Sequence, residues 1–435
     1  METLNDNDVN TKIEARKRTL NKNEQFIVLL LMPTVMLIMA FFYDTPSGLI
    51  KGLNAIRLSN DVLLADYLVI AGTGATLLNA SLVTLINIAI LKKMDMKPNG
   101  IIIASLFLLM GFSFMGKNIF NIWPFYIGGY IYSKVHNIEY KNVIIVCMLA
   151  TTMAPLSSVL VVSLSSNYII SLAGTLAIGS FLGFIMPAVS SQILMAHSGY
   201  NIYNMGYAGG FVSILVFAIL RTLNIEFERN SVVLETMDYG LLGFLVLFFL
   251  LFISLGFVFN GFSFSGYKKL LGRTGRLVTD MTRLDGFALT LVNMGSLGII
   301  SIIYVIVMGG VLNGPVIAGI LTVVGFAAFG KHIKNSVPIL VGVAVASFFI
   351  AKDASTTDIL ISALFGTTLA PIVGEYGMIY GIVLGFLHLS LTLNLGVLHG
   401  GIHLYNNGLS GGIIATIFVP MLDALKKEEK DALRE

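Results

Sequence analysis

The chain has 435 residues, 56% of them hydrophobic and only 12% charged, with a formal net charge of +3. Soluble domains carry about a quarter charged residues, so a mean hydropathy of +0.86 excludes water as the solvent for most of the surface.

A mostly polar tail with Lys12, Arg16, Lys17, Arg18 and Lys22 precedes the first apolar run, Phe26 to Tyr43, which has no charge. No small-residue cleavage site follows Tyr43, so this run reads as a membrane span and not as a removed leader. A helix of roughly 20 residues crosses a bilayer with its backbone hydrogen bonds closed internally. Further apolar segments lie near 65–91, 99–116, 121–133, 143–164, 168–196 and 208–220. Tyr239 to Phe259 is again uncharged, and segments near 285–309, 314–329, 336–351, 355–373, 378–398 and 411–422 complete the series. About ten to fourteen crossings are expected, with 121–133 and 411–422 short enough for half-helices or re-entrant segments. The expected fold class is an all-α integral membrane protein. Cys147 is the single cysteine, lies in an apolar run and reads as a packing residue.

Basic residues set orientation. They cluster in the N-terminal tail, at Lys92, Lys93 and Lys97, across 268–283, and at Lys426, Lys427, Lys430 and Arg434. Those four regions are expected in the cytoplasm, both termini included. The loop 221–238 carries Glu226, Glu228, Glu235 and Asp238 against Arg221 and Arg229. It is expected outside, with 44–64.

The sequence also repeats. HSGYNIYNMGYAGG (His197 to Gly210) matches HGGIHLYNNGLSGG (His399 to Gly412) at an offset of 202, and the ungapped match over 179–210 and 381–412 holds 11 identities in 32. TLLNASL pairs Asn79 with Asn293 of TLVNMGSL, and TTMAP (Thr151 to Pro155) pairs with TTLAP (Thr367 to Pro371). Three pairs in one order indicate a duplication, with halves at 65–225 and 284–424. The remainder divides into a tail (1–24), a first helix and outer loop (25–64), a linker with one span and a basic loop (226–283) and a C-terminal tail (425–435). Under the charge-based orientation the two histidine blocks fall on opposite sides, so the repeats are expected to be inverted. Transporters of this plan bind at the interface between repeats.

The repeated residues are therefore the candidate pathway. Glycine permits close backbone approach, and irregular backbone at membrane depth must be buried or line a watery cavity. A helix N-terminus at Gly209 or Gly411 would present free N–H groups. His197, Tyr203, Asn204, His399, Tyr405, Asn406 and Asn407 would add neutral donors and acceptors, a set suited to a small polar or anionic solute. An interfacial turn is the structural alternative. Asn79 and Asn293 either line the route or join helices. Thr151, Thr152, Thr367 and Thr368 precede Ala-Pro, where proline frees a carbonyl that a hydroxyl can satisfy. Glu375, four residues after Pro371, is an intramembrane carboxylate candidate for a coupling proton or cation. His388 reads as packing.

Two patterns carry no expectation. GFSFMGKN (Gly111 to Asn118) resembles a phosphate loop but has Asn where Ser or Thr is needed and ends an apolar helix. His399 and His403 stand four apart among glycines, and no third metal ligand is evident.

The YNMG and YNNG blocks resemble those of a bacterial family of multi-spanning membrane proteins catalogued as a domain of unknown function. NNGLSG (Asn406 to Gly411) is similar to the NNPxSG block of urea transporters, with Gly408 in place of proline. That resemblance implies two inverted halves, a narrow pore per subunit, often a trimer, and pore-supporting roles for Asn406, Asn407, Gly408, Ser410 and Gly411. The expected function is a channel or transporter for a small polar solute in a bacterial inner membrane, as a homo-oligomer (dimer or trimer), without enzymatic activity, cofactor or nucleic-acid partner. A proton- or sodium-coupled carrier using Glu375 is the alternative within transport; a membrane-embedded enzyme or redox-complex subunit is the alternative outside it.

Overall fold

The computed structural model describes residues 17–225, 231–350 and 353–432, with side chains as far as Lys426. Of the charges used for orientation, Lys12, Arg16, Glu226, Glu228, Arg229, Lys427, Lys430 and Arg434 lie outside the described residues or side chains. All regular structure among the described residues is helical.

Helix α1 (Lys22–Tyr43) starts at a capping box between Asn21 and Glu24. It is followed by α2 (Pro46–Leu58), α3 (Gly72–Lys93), α4 (Gly100–Phe112) and α5 (Trp123–Val135). A broken pair, α6 (Ile144–Ala150) and α7 (Ala154–Ser163), leads to α8 (Tyr168–Ala196) and α9 (Asn204–Thr222). The order then recurs: α10 (Tyr239–Phe259), α11 (Phe287–Val307), α12 (Gly314–Phe326), α13 (Ile333–Phe349), the broken pair α14 (Thr357–Gly366) and α15 (Ala370–Tyr376), α16 (Met378–Leu395) and α17 (Asn406–Ala432). Counting each broken pair as one, ten helical units among the described residues are long and apolar enough to cross a membrane. Their outward faces are apolar, with Phe42, Ile169 and Ile379 each more than three-quarters exposed, as a lipid solvent requires. The segment 411–422 is no half-helix: it belongs to α17, which starts earlier, at Asn406, and runs to Ala432.

The repeat reaches further than the matched sequence blocks. Asp66 caps the turn Tyr67–Ile70, and Asp280, 214 residues on, caps Met281–Leu284. Helix α1 packs on α3 as α10 packs on α11. The unit thus takes in α1 and α10, which the sequence blocks left outside the halves.

Helices α4 and α12 have 13 residues each, about 20 Å at 1.5 Å per residue, short of a core about 30 Å thick. They cross the centre antiparallel, with Gly111 against Ala318 and Gly325 against Ala104. Equivalent helices that run antiparallel are exchanged by a two-fold axis perpendicular to them, so the two halves are inverted. The short helices begin re-entrant hairpins. Gly100 N–H donates to Asp280, while Asp95 pairs with Lys22 and feels the charge of Lys141, so both ends of α4–α5 share one face. Gly314 N–H donates to Asp66, and Asn313 donates to Thr357 Oγ1, so both ends of α12–α13 share the other. Each aspartate thereby caps the hairpin of the opposite half.

Candidate functional site

The hairpin tips, 113–122 and 327–332, are irregular backbone buried in protein. Asn79 Nδ2 on α3 donates to the carbonyls of Ser113 and Lys117 at 2.9 and 3.0 Å. Asn293 Nδ2 on α11 does the same for Ala327 and Lys331 at 2.9 and 2.7 Å. These amides satisfy carbonyls released where α4 and α12 end, so they join helix to tip.

Each tip carries a fully buried lysine. Lys117 donates to Tyr405 Oη, and Lys331 donates to Tyr203 Oη at 2.5 Å and Thr367 Oγ1 at 2.6 Å. Each tyrosine comes from the half opposite its lysine. The ammonium of Lys117 lies 4.6 Å from the Tyr405 ring centre and 5.3 Å from that of Phe112. That of Lys331 lies 4.2 Å from Tyr203 and 5.6 Å from Phe326. Among the described residues no carboxylate pairs with either lysine. An ammonium taken out of water costs several kcal/mol, which ring faces offset only in part. Sequence reasoning set this stretch aside as a failed phosphate loop. The signal that finds it is its twin: GFSFMGK and GFAAFGK (Gly325 to Lys331) share G-F-x-x-x-G-K at the offset of 214 that relates Asn79 to Asn293.

The histidine blocks meet at the two-fold. Helices α9 and α17 begin at Asn204 and Asn406, ahead of the glycines expected to start them. Those glycines serve contact instead, as Gly206 and Gly408 place their Cα atoms against one another and the Tyr207 ring fills the space beside Gly412. His197 Nε2 meets Asn204 Oδ1 and His399 Nε2 meets Asn406 Oδ1, both at 2.9 Å. Asn204 and Asn406 donate to the carbonyls of Ser190 and Thr392. Asn407 Oδ1 meets His388 Nε2 at 2.9 Å, so His388 is tied into the block. Asn201 and His403, unlike in type, are alike in position. Asn201 accepts from Thr368 and donates to Gly408 O, while His403 bonds Thr152 and Gly206 O. Gly206→Val and Gly408→Val, whose Cβ atoms would lie under 3.0 Å from backbone of the other half, are expected to cost about 1–3 kcal/mol each by overpacking. Thermal unfolding in detergent measures this. Gly243→Ala is the neutral control, since its added Cβ meets nothing within 4 Å.

The Thr-Thr breaks are turns of 3-10 helix. Thr151 and Thr367 hydroxyls donate to Met148 O and Leu364 O, while Ala154 and Ala370 N–H groups take up the carbonyls of Thr151 and Thr367 that the prolines free. The tighter turn therefore meets the need assigned to the hydroxyls. Thr152 and Thr368 carbonyls accept from Leu404 and Ile202 of the facing block.

Two cavities flank this centre. One, of about 200 Å³, is bordered by Leu63, Leu64, Phe112, Phe365, Asn406 and Asn407. The other, of about 210 Å³, is bordered by Leu277, Val278, Phe326, Leu149, Asn204 and Met205, and also by Tyr203 and Tyr405. The named residues of the two sets are counterparts under the repeat, so one cavity faces the Asp66 side and the other the Asp280 side. Between them Phe112 of the first cavity packs on Tyr405 of the second with ring centres 4.7 Å apart, and Phe365 of the first on Tyr203 of the second at 6.3 Å. Glu375 borders neither. It stands 39% exposed near Lys426, beside a cavity of about 260 Å³ with Arg273, His332 and Asn335. The counterpart of that cavity, about 290 Å³, is bordered by Arg57, Asn118 and Asn121.

Sequence reasoning also passed over Asp61, between α2 and α3. Its carboxylate is fully buried and accepts from Tyr67 Oη (2.6 Å), Asn118 Nδ2 (2.9 Å), Asn121 Nδ2 (3.1 Å) and Ser158 Oγ (2.5 Å). Burial pushes its pKa up to about 6 against these donors. No sequence repeat marks it, because its counterpart is Gly275, whose place lies against the Gly330 carbonyl.

Fold and site together define a polytopic membrane protein of two inverted repeats with a polar centre between them. The chain belongs to the family described as "Protein of unknown function (DUF1576)", which it matches over residues 45–222 and 259–424. No curated relative and no solved structure matches it.

Proposed function

We propose that the protein is a membrane transporter or channel that passes a small polar solute between its two halves. The observation that carries this reading is the pair of counterpart cavities on opposite faces, separated by the aromatic cluster at the two-fold. Re-entrant helices whose irregular tips are buried beside such cavities are a recurrent way to build a midplane site. The likeness to urea transporters supports the two-halved plan alone: here Asn406, Asn407 and Ser410 bond their own half through His399, His388 and Thr392.

The test is solute flux in proteoliposomes, read by stopped-flow light scattering against protein-free vesicles. Flux above background is expected, and Asn204→Ala and Asn406→Ala are expected to slow it about tenfold, a barrier increase near 1.4 kcal/mol. Rates equal to empty vesicles for non-electrolytes and ions alike would defeat the proposal. Ion-coupled carriage is the second reading, drawn from the place of Glu375 beside a cavity with Arg273 and His332. It predicts uphill accumulation that Glu375→Gln abolishes.

A further inference from the structure

We infer that the cavity at the ends of α1, α10 and α11 binds a phosphate ester anion, the chemistry shared by an anionic phospholipid headgroup and a free phosphomonoester. Its depth in the membrane and its apolar border select the lipid.

Charge comes first. The cavity holds about 770 Å³, room for a headgroup. Lys17, Arg18, Lys97, Lys269 and Arg283 border it, and all five are exposed, so a ligand entering it meets them directly. Asp285 is the one carboxylate among the described residues on that border, and Arg273 holds it at 3.0 Å. Glu24 and Asp280 pair with Arg18 and Arg283. Among the described residues Lys97 and Lys269 have no ion-pair partner.

Uncommitted groups come second. Helix α11 begins at the cavity with Phe287, Ala288 and Leu289, and no side chain caps it. Its first N–H groups lack intrahelical partners and carry positive partial charge, which suits an anion. Gln25 also borders the cavity and is only 7% exposed. Its Nε2 donates to Leu20 O at 3.1 Å, while its Oε1 has no partner. A headgroup hydroxyl supplies the donor that this oxygen lacks.

The inverted repeat supplies a comparison. Asn21 and Asp238, the caps of α1 and α10, hold equivalent places. On the Asp66 face the Asp238 carboxylate accepts from Tyr43 Oη at the end of α1 and from Thr73 Oγ1 at the start of α3, both at 3.3 Å. On the Asp280 face the neutral Asn21 serves its own helix, accepting from the Asn23 and Glu24 N–H groups. The start of α11 is left facing the basic cavity. Two corners alike in backbone thus differ in charge, and an anion is drawn to one and repelled from the other.

Depth selects the lipid. Helices α1, α10 and α11 are each long and apolar enough to span. The cavity lies where α1 and α11 begin and α10 ends, the level of the headgroups. Basic pockets between helix ends at that level suit anionic headgroups. Leu284 on the border and Val258 in the last turn of α10 are exposed, apolar surface on which an acyl chain packs.

The test is native mass spectrometry of the purified full chain in detergent, incubated in parallel with dioleoyl phosphatidylglycerol, dioleoyl phosphatidylcholine and glycerol 3-phosphate. Phosphatidylglycerol is expected to be retained in preference to phosphatidylcholine, whose choline brings a like charge to the cavity. Lys97→Gln combined with Lys269→Gln is expected to weaken its binding about thirtyfold, at about fivefold per lysine. Lys92→Gln combined with Lys93→Gln removes as much charge from the same face, outside the cavity, and is expected to leave binding unchanged. All four lysines are exposed, so both variants are expected to fold. A Lys97–Lys269 variant that loses no more than the Lys92–Lys93 variant overturns the inference. Phosphatidylglycerol retained no better than phosphatidylcholine overturns the lipid. If glycerol 3-phosphate then binds through Lys97 and Lys269, the free ester is the ligand; if it does not, the whole inference falls.

Discussion

Asp61→Ala is expected to destabilise the protein by about 3–5 kcal/mol, the cost of removing one partner from a buried charged network. Four donors from three separate parts of the chain converge on this carboxylate: Tyr67, the tip residues Asn118 and Asn121, and Ser158 of α7. Without it the Tyr67 and Ser158 hydroxyls lose their acceptor, while Asn121 keeps Gly116 O and Asn118 keeps Tyr67 Oη, and a buried unsatisfied donor costs about 1–3 kcal/mol. Equilibrium unfolding in mixed micelles measures the loss. Asp95→Ala serves as the control, because Asp95 is almost wholly exposed. The pH dependence has a definite sign. Asp61 titrates near 6 in the fold against 3.8 when unperturbed, so the folded state binds the extra proton between those values. Its contribution to stability is therefore full below about 4 and lost as pH rises through about 6. That slope should be missing from Asp61→Ala. A variant as stable as wild type, with the slope intact, would show that the cage does not hold the tip.

Asn79→Ala and Asn293→Ala are expected to cost about 2–4 kcal/mol each, since each amide serves two buried carbonyls and each unmet carbonyl costs about 1–3 kcal/mol. Asn79 should be the worse loss, because its oxygen also accepts from the Ile119 N–H at 3.2 Å. Among the described residues Asn293 Oδ1 has only a long contact from Tyr267 Oη, at 3.4 Å. Asn→Asp should recover little, as a carboxylate cannot donate. Since these amides hold the tips whose Met115 and Phe329 border the two cavities, solute flux should fall along with stability. Less than about 0.5 kcal/mol lost in either variant, the range of ordinary surface changes, would mean that water or another group serves the carbonyls.

Membrane residence, helical class and the two-fold repeat were all legible without coordinates. The bilayer admits only helices or closed barrels, and the charge-free runs are of helical length. The His–Tyr–Asn blocks, repeated in register, announced the duplication. Legibility failed where one half lacks the other's side chain. Asp61 faces Gly275, and His403 faces Asn201, so identity matching passes over them although His403 and Asn201 fill equivalent places. It failed also where a familiar pattern invited dismissal, as with Gly116-Lys117. Glu375 was singled out because a carboxylate near apolar runs is costly, yet the end of α15 brings it out beside Lys426.

Sequence alone thus determined the solvent, the secondary structure and the internal symmetry, because each follows from hydropathy and from residues recurring along one dimension. Only the tertiary structure decided that the short helices return to the face they entered from, and that each half's tyrosine meets the other half's lysine. Those contacts join residues 128 and 288 positions apart. Partners so distant in the chain leave no local pattern, and it is packing across the two-fold that brings them together.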